Sequence, residues 1–404
     1  MTAPGVAPDR DTDPLRWRIL GLLAMSQFLG MSLWFAGSAV APQLAAKWGL
    51  ASTQLGWLTS SVQLGFVVGT ALIAVFNLGD LVPARWLFTT SALAGAAANA
   101  FVGEVDSLAG GLALRGLTGM ALAGVYPPAM KMAATWFKAR RGFAVGTVVG
   151  ALTVGSASPW LVRAVMPDAA IGPVLASASF AAVMAAVMIG GLYRDGPYPF
   201  TSRPFSWGLV GSVVRTRKWR LATGGYLGHM FELYSTWTWL AAWMTASLAS
   251  RGHTGAWRGA PAMFAFLTIA SGSVGCVWGG LLADRKSRAW LVTTALAVSG
   301  TCTLLVGALY GASWWLALPV AFVWGASLAG DSPQFSVMVT ESVEPHAVGT
   351  ALYVQISLGF LLTLVSIQLV PPLAAVIGWQ WVFAGLALGP ALGIWSVRRL
   401  AARG

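Results

Sequence analysis

Long apolar stretches alternate with short polar ones along almost the whole chain. Apolar windows of about 20 residues, the length that a helix needs to cross a membrane, occur six times before a polar stretch at residues 193–220 and six times after it. No stretch alternates apolar and polar positions as a strand would, so the windows predict helices, whose backbone groups are satisfied internally. The predicted spans are residues 19–44, 55–77, 86–103, 108–137, 143–166, 171–193, 221–250, 261–283, 289–311, 313–343, 350–373 and 379–397.

The two sets of windows share short sequence matches in the same order, at separations of 203 to 206 residues. The matches are LAGVYP at 122–127 with LAGDSP at 328–333, AVGT at 144–147 with AVGT at 347–350, and Asp80 and Arg85 with Asp284 and Arg288. Collinear matches at one offset indicate two homologous halves. We therefore predict an N-terminal tail (1–16), a six-helix bundle (17–193), a linker (194–220), a second six-helix bundle (221–397) and a C-terminal tail (398–404).

Composition supports a membrane protein. Hydrophobic residues make up 57% of the 404 residues and charged residues only 9%, which leaves too little polar surface to cover a soluble globule. The two cysteines, Cys276 and Cys302, lie in apolar runs with no Cys or His partner at ligand spacing. The sequence therefore predicts neither a disulfide framework nor a metal site, and no cofactor.

The positions of Lys and Arg predict the orientation. If the helices cross the membrane in turn, 19 of the 25 basic residues fall on the side of the N-terminus. Because basic loops stay in the cytoplasm, both termini are expected there. The net charge of +12 then reflects topology and attraction to the lipid bilayer, not a nucleic-acid partner.

The loops after the predicted second and eighth helices carry an acid beside basic residues. The second copy, GLLADRKSR, contains Asp284, Arg285 and Arg288, and the first, NLGDLVPAR, contains Asp80 and Arg85. Such acids can accept charge-assisted hydrogen bonds from arginines and from a helix N-terminus when that end of the protein is closed. The pattern predicts a cytoplasmic latch; the alternative is that these charges only fix the topology.

Two six-helix halves, a basic linker and these loops together resemble the major facilitator superfamily (MFS) of transporters. The family's loop signature is Gly, two or three residues, Asp, a base, Gly and a basic pair. The second copy departs from it at Ser287 in the glycine position, and the first copy at Leu81 and Pro83. RGLTG at 115–119 is similar to the family's Arg-x-x-x-Gly pattern.

Within that family, the short loops and the seventh and tenth helices look most like the bacterial nitrate/nitrite and cyanate transporter-like anion group. The resemblance implies an all-α membrane protein of 12 transmembrane helices in two pseudo-symmetric bundles, which works by alternating access. It also implies a multi-pass protein of the bacterial cytoplasmic (inner) membrane. We expect it to act as a monomer.

The predicted seventh helix carries ionisable residues where they would lie near the middle of the membrane. His229 and Glu232 are three residues apart and so lie on one face of the helix. Because an ionisable group costs several kcal/mol there unless it is paired or hydrated, both are predicted proton-coupling residues. The alternative is a structural hydrogen bond to a neighbouring helix.

The predicted tenth helix contains an acid next to a possible interruption. Ser332 and Pro333 follow Asp331 as an N-cap and first-turn pair would, and Tyr126 and Pro127 suggest the same interruption in the fourth helix. Interrupted helices build binding sites in transporters, so Asp331 is predicted to bind substrate and to carry a proton.

Arg115 is the strongest candidate anion ligand, because a guanidinium can donate two hydrogen bonds to one oxyanion and lies here within a span. Further residues are placed by the predicted helices where they could line a substrate site. They are Tyr126, Trp237, Gln334 and Gln355.

The sequence thus predicts a proton-coupled secondary transporter of a small anionic organic solute, with protons and the solute as its partners. The alternative is a multidrug exporter that exchanges lipophilic cations for protons, which an aromatic pocket with Glu232 and Asp331 would also suit.

A channel would need a continuous polar face on several helices. An enzyme would need a catalytic set such as Ser with His and Asp, and the sequence suggests none, so no enzyme is predicted.

Overall fold

The computed structural model describes residues 13–138, 140–198, 205–252 and 257–402. All regular elements within these residues are helical. The predicted tail before residue 13, the middle of the predicted linker and the last two residues lie outside the described part.

The first six predicted spans correspond to helices α1 to α6. Three of them consist of more than one segment: α1, which breaks after Met31 and at Val40, α2, which breaks at Gly56, and α4, which breaks after Ala123. The bounds are Leu15–Met31, Ala36–Ala39 and Ala41–Trp48 for α1, Ser52–Leu55 and Trp57–Val75 for α2, Ala84–Ala100 for α3, Leu108–Ala123 and Tyr126–Trp136 for α4, Arg141–Val165 for α5, and Ile171–Leu192 for α6.

The last six predicted spans correspond to helices α7 to α12, after a short linker helix, Trp207–Arg215. The bounds are Arg217–Ala249 for α7, Ala260–Arg285 for α8, Arg288–Ala308 for α9, and Trp314–Gly330 and Ser332–Thr340 for α10. Helices α11 and α12 share the run Val348–Trp381, which turns at Gly378 (φ 78°), and α12 continues through Val382–Ala387 and Leu388–Ala401. The all-α fold with twelve membrane helices is confirmed.

Seven helical segments of the described chain are long and apolar enough to cross a membrane, and one of these, Pro345–Ala401, holds both α11 and α12. The helices outside this set include α1 and α10, which are interrupted, and α3, which has 17 residues. Local breaks and short length therefore explain part of the difference from the twelve predicted spans.

The two halves repeat each other in their closest helix contacts. In each half, two glycines lie so close to the neighbouring helix that an added Cβ would overlap a backbone carbonyl group. The pairs are Gly69 with Met120 and Gly119 with Val62, then Gly275 with Ala326 and Gly325 with Thr268, 206 residues later in every case. Small residues allow this close packing of membrane helices. The repeat inferred from short sequence matches is thus present in the packing.

The interruptions of α4 and α10 obey the same repeat, because their second parts begin at Tyr126 and Ser332. Both interruptions were predicted. The N-cap of the second part of α10 is Asp331, however, and not Ser332, and the Asp331 side chain makes no capping hydrogen bond. The carboxylate is therefore free to face another helix.

The even number of spans puts the first and last described residues and the linker helix on one end of the bundle, the basic face, which the sequence predicts to be cytoplasmic. The other end, the opposite face, carries contacts between the halves. Arg258 Nη1 lies 2.9 Å from Asp168 Oδ1, and Gln368 Nε2 donates to Ser60 Oγ at 3.1 Å. A Cβ on Gly259 would overlap the carbonyl of Ala164. The halves are thus in contact at the opposite face.

Candidate functional site

A cavity of about 130 Å³, the central cavity, lies between the two halves, on the side of the basic face. Residues of α1, α2, α4, α5, α7, α8, α10 and α11 line it. Its polar groups are uncharged: hydroxyls such as those of Tyr126, Ser332 and Ser336, the thiol of Cys276, and the indole N–H groups of two tryptophans. None of its described lining residues is charged. A solute with an uncompensated charge would find no counter-charge on this wall.

Six aromatic rings, the aromatic layer, close the end of the central cavity that faces away from the basic face. They are Trp34, Phe35 and Phe66 of the first half and Tyr234, Trp237 and Phe360 of the second. Rings from the two halves touch: Trp34 stacks on Tyr234 with centroids 5.7 Å apart, and Phe66 lies 4.6 Å from Phe360. The predicted binding residue Trp237 belongs to this layer and also lines the cavity.

Three side chains form a connected set beside the central cavity. His229 Nδ1 lies 2.9 Å from Asp331 Oδ1, and His229 Nε2 lies 2.8 Å from Ser332 Oγ. His229 and Asp331 are each only 1% exposed, whereas Ser332 lines the cavity. Hence Ser332 connects the imidazole to the cavity.

The sequence suggests no set of Ser with His and Asp, but the structure brings these three residue types together. They meet because the interruption of α10 places two consecutive residues, Asp331 and Ser332, against the two nitrogens of one imidazole on α7. The contact between His229 and Asp331 is within ion-pair distance but misaligned for a hydrogen bond. Neither Asp331 oxygen has a hydrogen-bond donor in the described structure.

Glu232 lies on the same helix as His229 but meets a different set of side chains. Its carboxylate accepts hydrogen bonds from Ser299 Oγ at 2.9 Å, from Trp324 Nε1 at 2.9 Å and from Thr303 Oγ1. These donors belong to α9 and α10. Glu232 is fully buried inside the second half and does not line the central cavity.

Arg115 is fully buried inside the first half and does not line the central cavity. Its Nη1 donates to Leu33 O and Asn99 Oδ1, each at 3.0 Å, its Nη2 donates to Trp34 O, and its Nε donates to Leu58 O at 3.5 Å. Two of these acceptors are carbonyls at the interruption of α1. The guanidinium is therefore engaged by the protein itself, which gives no support to the predicted anion-binding role.

The remaining predicted substrate residues differ in position. Tyr126 lines the central cavity, but Gln334 and Gln355 do not. Gln355 Nε2 donates to Phe335 O at 3.5 Å, so it links α11 to α10. Of the uncharged candidates, Tyr126 and Trp237 therefore meet at the cavity.

The structure describes part of the predicted latch. Arg288 Nη1 lies 2.7 Å from Glu341 Oε1, a pair at the surface of the second half, and Arg85 donates to Gly190 O within the first half. The side chains of the three other predicted latch residues lie outside the described part: Asp80, Asp284 and Arg285. The latch therefore remains a prediction.

A second cavity, the vestibule, has a volume of about 260 Å³ and lies between the aromatic layer and the opposite face. Residues of α1, α2, α5, α7 and α8 line it, including Trp160, Arg163 and Arg258. Along α1 and α7 the aromatic layer falls between the residues of the two cavities. Arg163 was not among the predicted site residues, although it shares with Arg115 the feature of an arginine within an apolar run.

Comparisons with known proteins identify the fold. The family profile described as Major Facilitator Superfamily matches residues 22–367. A comparison with curated proteins finds no significant match to the sequence.

Solved structures with similar folds include a variant of the nucleoside transporter NupG, at TM-score 0.71 and 14% identity over 95% of this chain and 99% of that one. The human organic anion transporter MFSD10 (TETRAN) is similar at TM-score 0.66 and 14% identity, over 95% and 100% of the two chains. A bacterial homologue of the human lysosomal transporter Spinster, in an inward-facing and unoccupied conformation, is similar at TM-score 0.68 and 15% identity, over 97% and 96%. At these identities the likeness concerns the fold alone.

Proposed function

Because the chain belongs to the major facilitator superfamily and is a multi-pass membrane transporter, we propose that it carries a small organic anion together with a proton. The observation that carries this proposal is the set of Asp331, His229 and Ser332 beside the central cavity, of which Ser332 lines the wall. In a transporter, this set is best interpreted as a path for a proton rather than as hydrolytic machinery.

The proton argument begins at Asp331. A buried ionised carboxylate without a hydrogen-bond donor is costly unless a positive charge lies beside it. The only basic group at ion-pair distance in the described structure is His229. The pair is therefore stable when it holds a proton, either on the imidazole or on the carboxyl group. Loss of that proton would leave Asp331 uncompensated.

The proton can reach the cavity through Ser332. A hydroxyl group both donates and accepts, so Ser332 can receive a proton from His229 Nε2 while it passes its own to a group in the cavity. Other titratable groups near the pair are Cys276, which donates to Ala329 O, Tyr226, whose ring stacks on His229, and Glu232 on the same helix as His229. Glu232 already accepts three hydrogen bonds, so it stays outside this path.

The lining of the central cavity supports a solute that crosses it without net charge. An anion alone would lose its hydration there and gain no counter-charge, whereas an anion with a proton would enter as a neutral acid. Trp34 and Trp237 line the cavity, and their indole N–H groups have no hydrogen-bond partner in the described structure. These donors suit the oxygen atoms of an acid. In this proposal the indole N–H donors and a shared proton take the anion-binding role that the sequence predicted for Arg115.

A second candidate function is the export of lipophilic cations in exchange for protons. It is favoured by the aromatic layer, because cations bind to the faces of Trp and Tyr rings, and by the buried carboxylate of Asp331. Against it, Asp331 lies behind His229 and Ser332 and is itself absent from the cavity wall.

Thermal shift with purified protein separates the two candidates. We expect small aromatic or aliphatic carboxylates to raise the melting temperature, and more strongly at lower pH, since the acid and its proton bind together. Uptake of the stabilising acid into proteoliposomes should follow an inward proton gradient. Stabilisation by tetraphenylphosphonium alone would replace our proposal with the cation exporter.

A further inference from the structure

We propose that the vestibule is a separate binding site for an organic anion, held by Arg163. The site is distinct from the central cavity and does not depend on proton coupling. Its ligand class is a small carboxylate with an apolar body.

The charge of Arg163 is the first argument. Arg163 is 8% exposed and lines the vestibule. Its Nε donates to Ala39 O at 3.2 Å, and its Nη1 donates to Pro167 O at 3.0 Å and Ala169 O at 2.9 Å. Its Nη2 has no hydrogen-bond partner in the described structure. A buried guanidinium with a nitrogen left unpaired is a site that an oxyanion would stabilise.

No carboxylate of the described chain compensates this charge directly. Asp168 acts electrostatically on Arg163, but its carboxylate lies 2.9 Å from Arg258 Nη1 and both side chains of that pair are largely exposed. One acid thus faces two arginines at the mouth of the vestibule. The local excess of one positive charge favours an anion over a neutral or cationic ligand.

The walls of the vestibule are the second argument. Trp160, Trp239, Leu55 and Pro261 present apolar surface there, and the indole N–H of Trp160 has no hydrogen-bond partner in the described structure. Pockets of this kind, mostly apolar with a few polar groups, bind small organic molecules. A carboxylate could meet Arg163 and Trp160 while its apolar body lies against the other walls.

Arg115 provides a comparison within the same molecule. It is also buried and lacks an acid partner, but its three nitrogens all donate to protein oxygens and it lines neither cavity. Arg163, in contrast, has one nitrogen without a hydrogen-bond partner in the described structure and lines the vestibule. This difference assigns anion binding to Arg163.

The test is equilibrium dialysis of the purified full-length protein with radiolabelled benzoate, which is ionised at neutral pH, and with benzamide as an uncharged competitor of the same shape. We expect benzoate to bind and benzamide not to displace it. Arg163→Gln should weaken benzoate binding at least tenfold. The matched control, Arg251→Gln, removes one exposed positive charge near the same face and should change binding less than twofold.

Two further variants keep the proposal testable if Arg163→Gln does not fold. Ala242→Trp fills the vestibule without touching the charge and should also abolish binding, whereas Ser336→Trp fills the central cavity and should leave it intact. If Ser336→Trp abolishes benzoate binding while Ala242→Trp retains it, benzoate occupies only the central cavity. That result would overturn the vestibule site and leave the proposed transport function standing. Equal binding of benzamide and benzoate would also overturn it.

Discussion

The imidazole of His229 on α7 and the carboxylate of Asp331 at the interruption of α10 lie 2.9 Å apart, and both side chains are 1% exposed. The two helices belong to the same half, so the pair can hold a proton without joining the halves. A change in its protonation would act on Ser332, the one member of the set that lines the central cavity. The pair is thus placed to link proton binding to events in the cavity.

The first prediction concerns this pair. Asp331→Asn removes the carboxylate that needs a proton, so uptake driven by a pH gradient should fall at least tenfold. Exchange of solute across the membrane without a gradient should persist, because it needs no net proton movement. Both rates can be measured in proteoliposomes, with Asp106→Asn as a control that removes an exposed acid. Gradient-driven uptake at the parental rate in Asp331→Asn would show that this acid carries no proton.

His229→Gln tests the other member of the pair. We expect a shifted pH optimum for this variant, since Asp331 would lose its only basic neighbour in the described structure. The shared proton would then lose one of its two sites, so net proton-driven uptake should fall while exchange persists. An unchanged pH profile would assign His229 to packing alone.

Glu232→Gln should behave differently, although the sequence pattern groups Glu232 with His229. The carboxylate accepts three hydrogen bonds, and a glutamine NH₂ group would face at least one of those donors. The expected loss of stability is about 1–3 kcal/mol, with gradient-driven uptake retained. Thermal unfolding measures the first effect, and Glu341→Gln at the surface is the control. Abolished proton coupling in a stably folded Glu232→Gln protein would return Glu232 to the proton path.

The contrast between His229 and Glu232 shows where sequence reasoning ends. Residues three apart differ by about 60° around a helix axis. That is enough for His229 to meet the second part of α10 while Glu232 meets α9 and the first part of α10. The sequence predicts that they share a broad face, but it does not predict which neighbour each one meets. That depends on how the helices pack, and no local pattern encodes it.

Features that depend on local sequence were predictable. The apolar windows identified twelve helices, and the proline after Ser332 and those after Tyr126 identified the interruptions of α10 and α4. The interruption of α1 carries no proline within it and was missed. Two acceptors of Arg115 come from that interruption, so the sequence alone does not predict that the protein itself engages the guanidinium.

Arg115 should therefore be a stabilising residue. Arg115→Lys keeps the charge but cannot match a planar group that donates to four acceptors. Each acceptor left without a donor costs about 1–3 kcal/mol, so the melting temperature should fall markedly. Solute affinity, measured by dialysis on the folded fraction, should change less than threefold. A loss of affinity at unchanged stability would restore the anion-binding role predicted from the sequence.

The latch is tested with a cysteine that the protein already has. Cys276 lines the central cavity and is 1% exposed, so a maleimide should label it only when the basic face opens. With Cys302→Ser as background, Asp284→Asn should increase the labelling rate, because the closed basic face would lose a charge-assisted contact. Asp80→Asn should have a smaller effect, since its loop has lost a glycine and a base. Equal labelling rates in both variants would mean that the departures of the first loop from the family signature have no consequence.

The last prediction concerns the stacked pair Trp34 and Tyr234, which joins the two halves and separates the central cavity from the vestibule. Alternating access requires this contact to break whenever the cavity opens toward the opposite face. Aromatic pairs contribute about 0.5–1.5 kcal/mol beyond the area they bury, so their loss should favour that opening.

Trp34→Ala and Tyr234→Ala should each make Ser38→Cys, which lines the vestibule, and Cys276 reactive from the same side of the membrane. A double-mutant cycle on the labelling rates should show coupling between the two rings, because either truncation alone removes the stack. Additive effects of the two truncations would show that the rings close the cavity independently, and that the stack itself is not the gate.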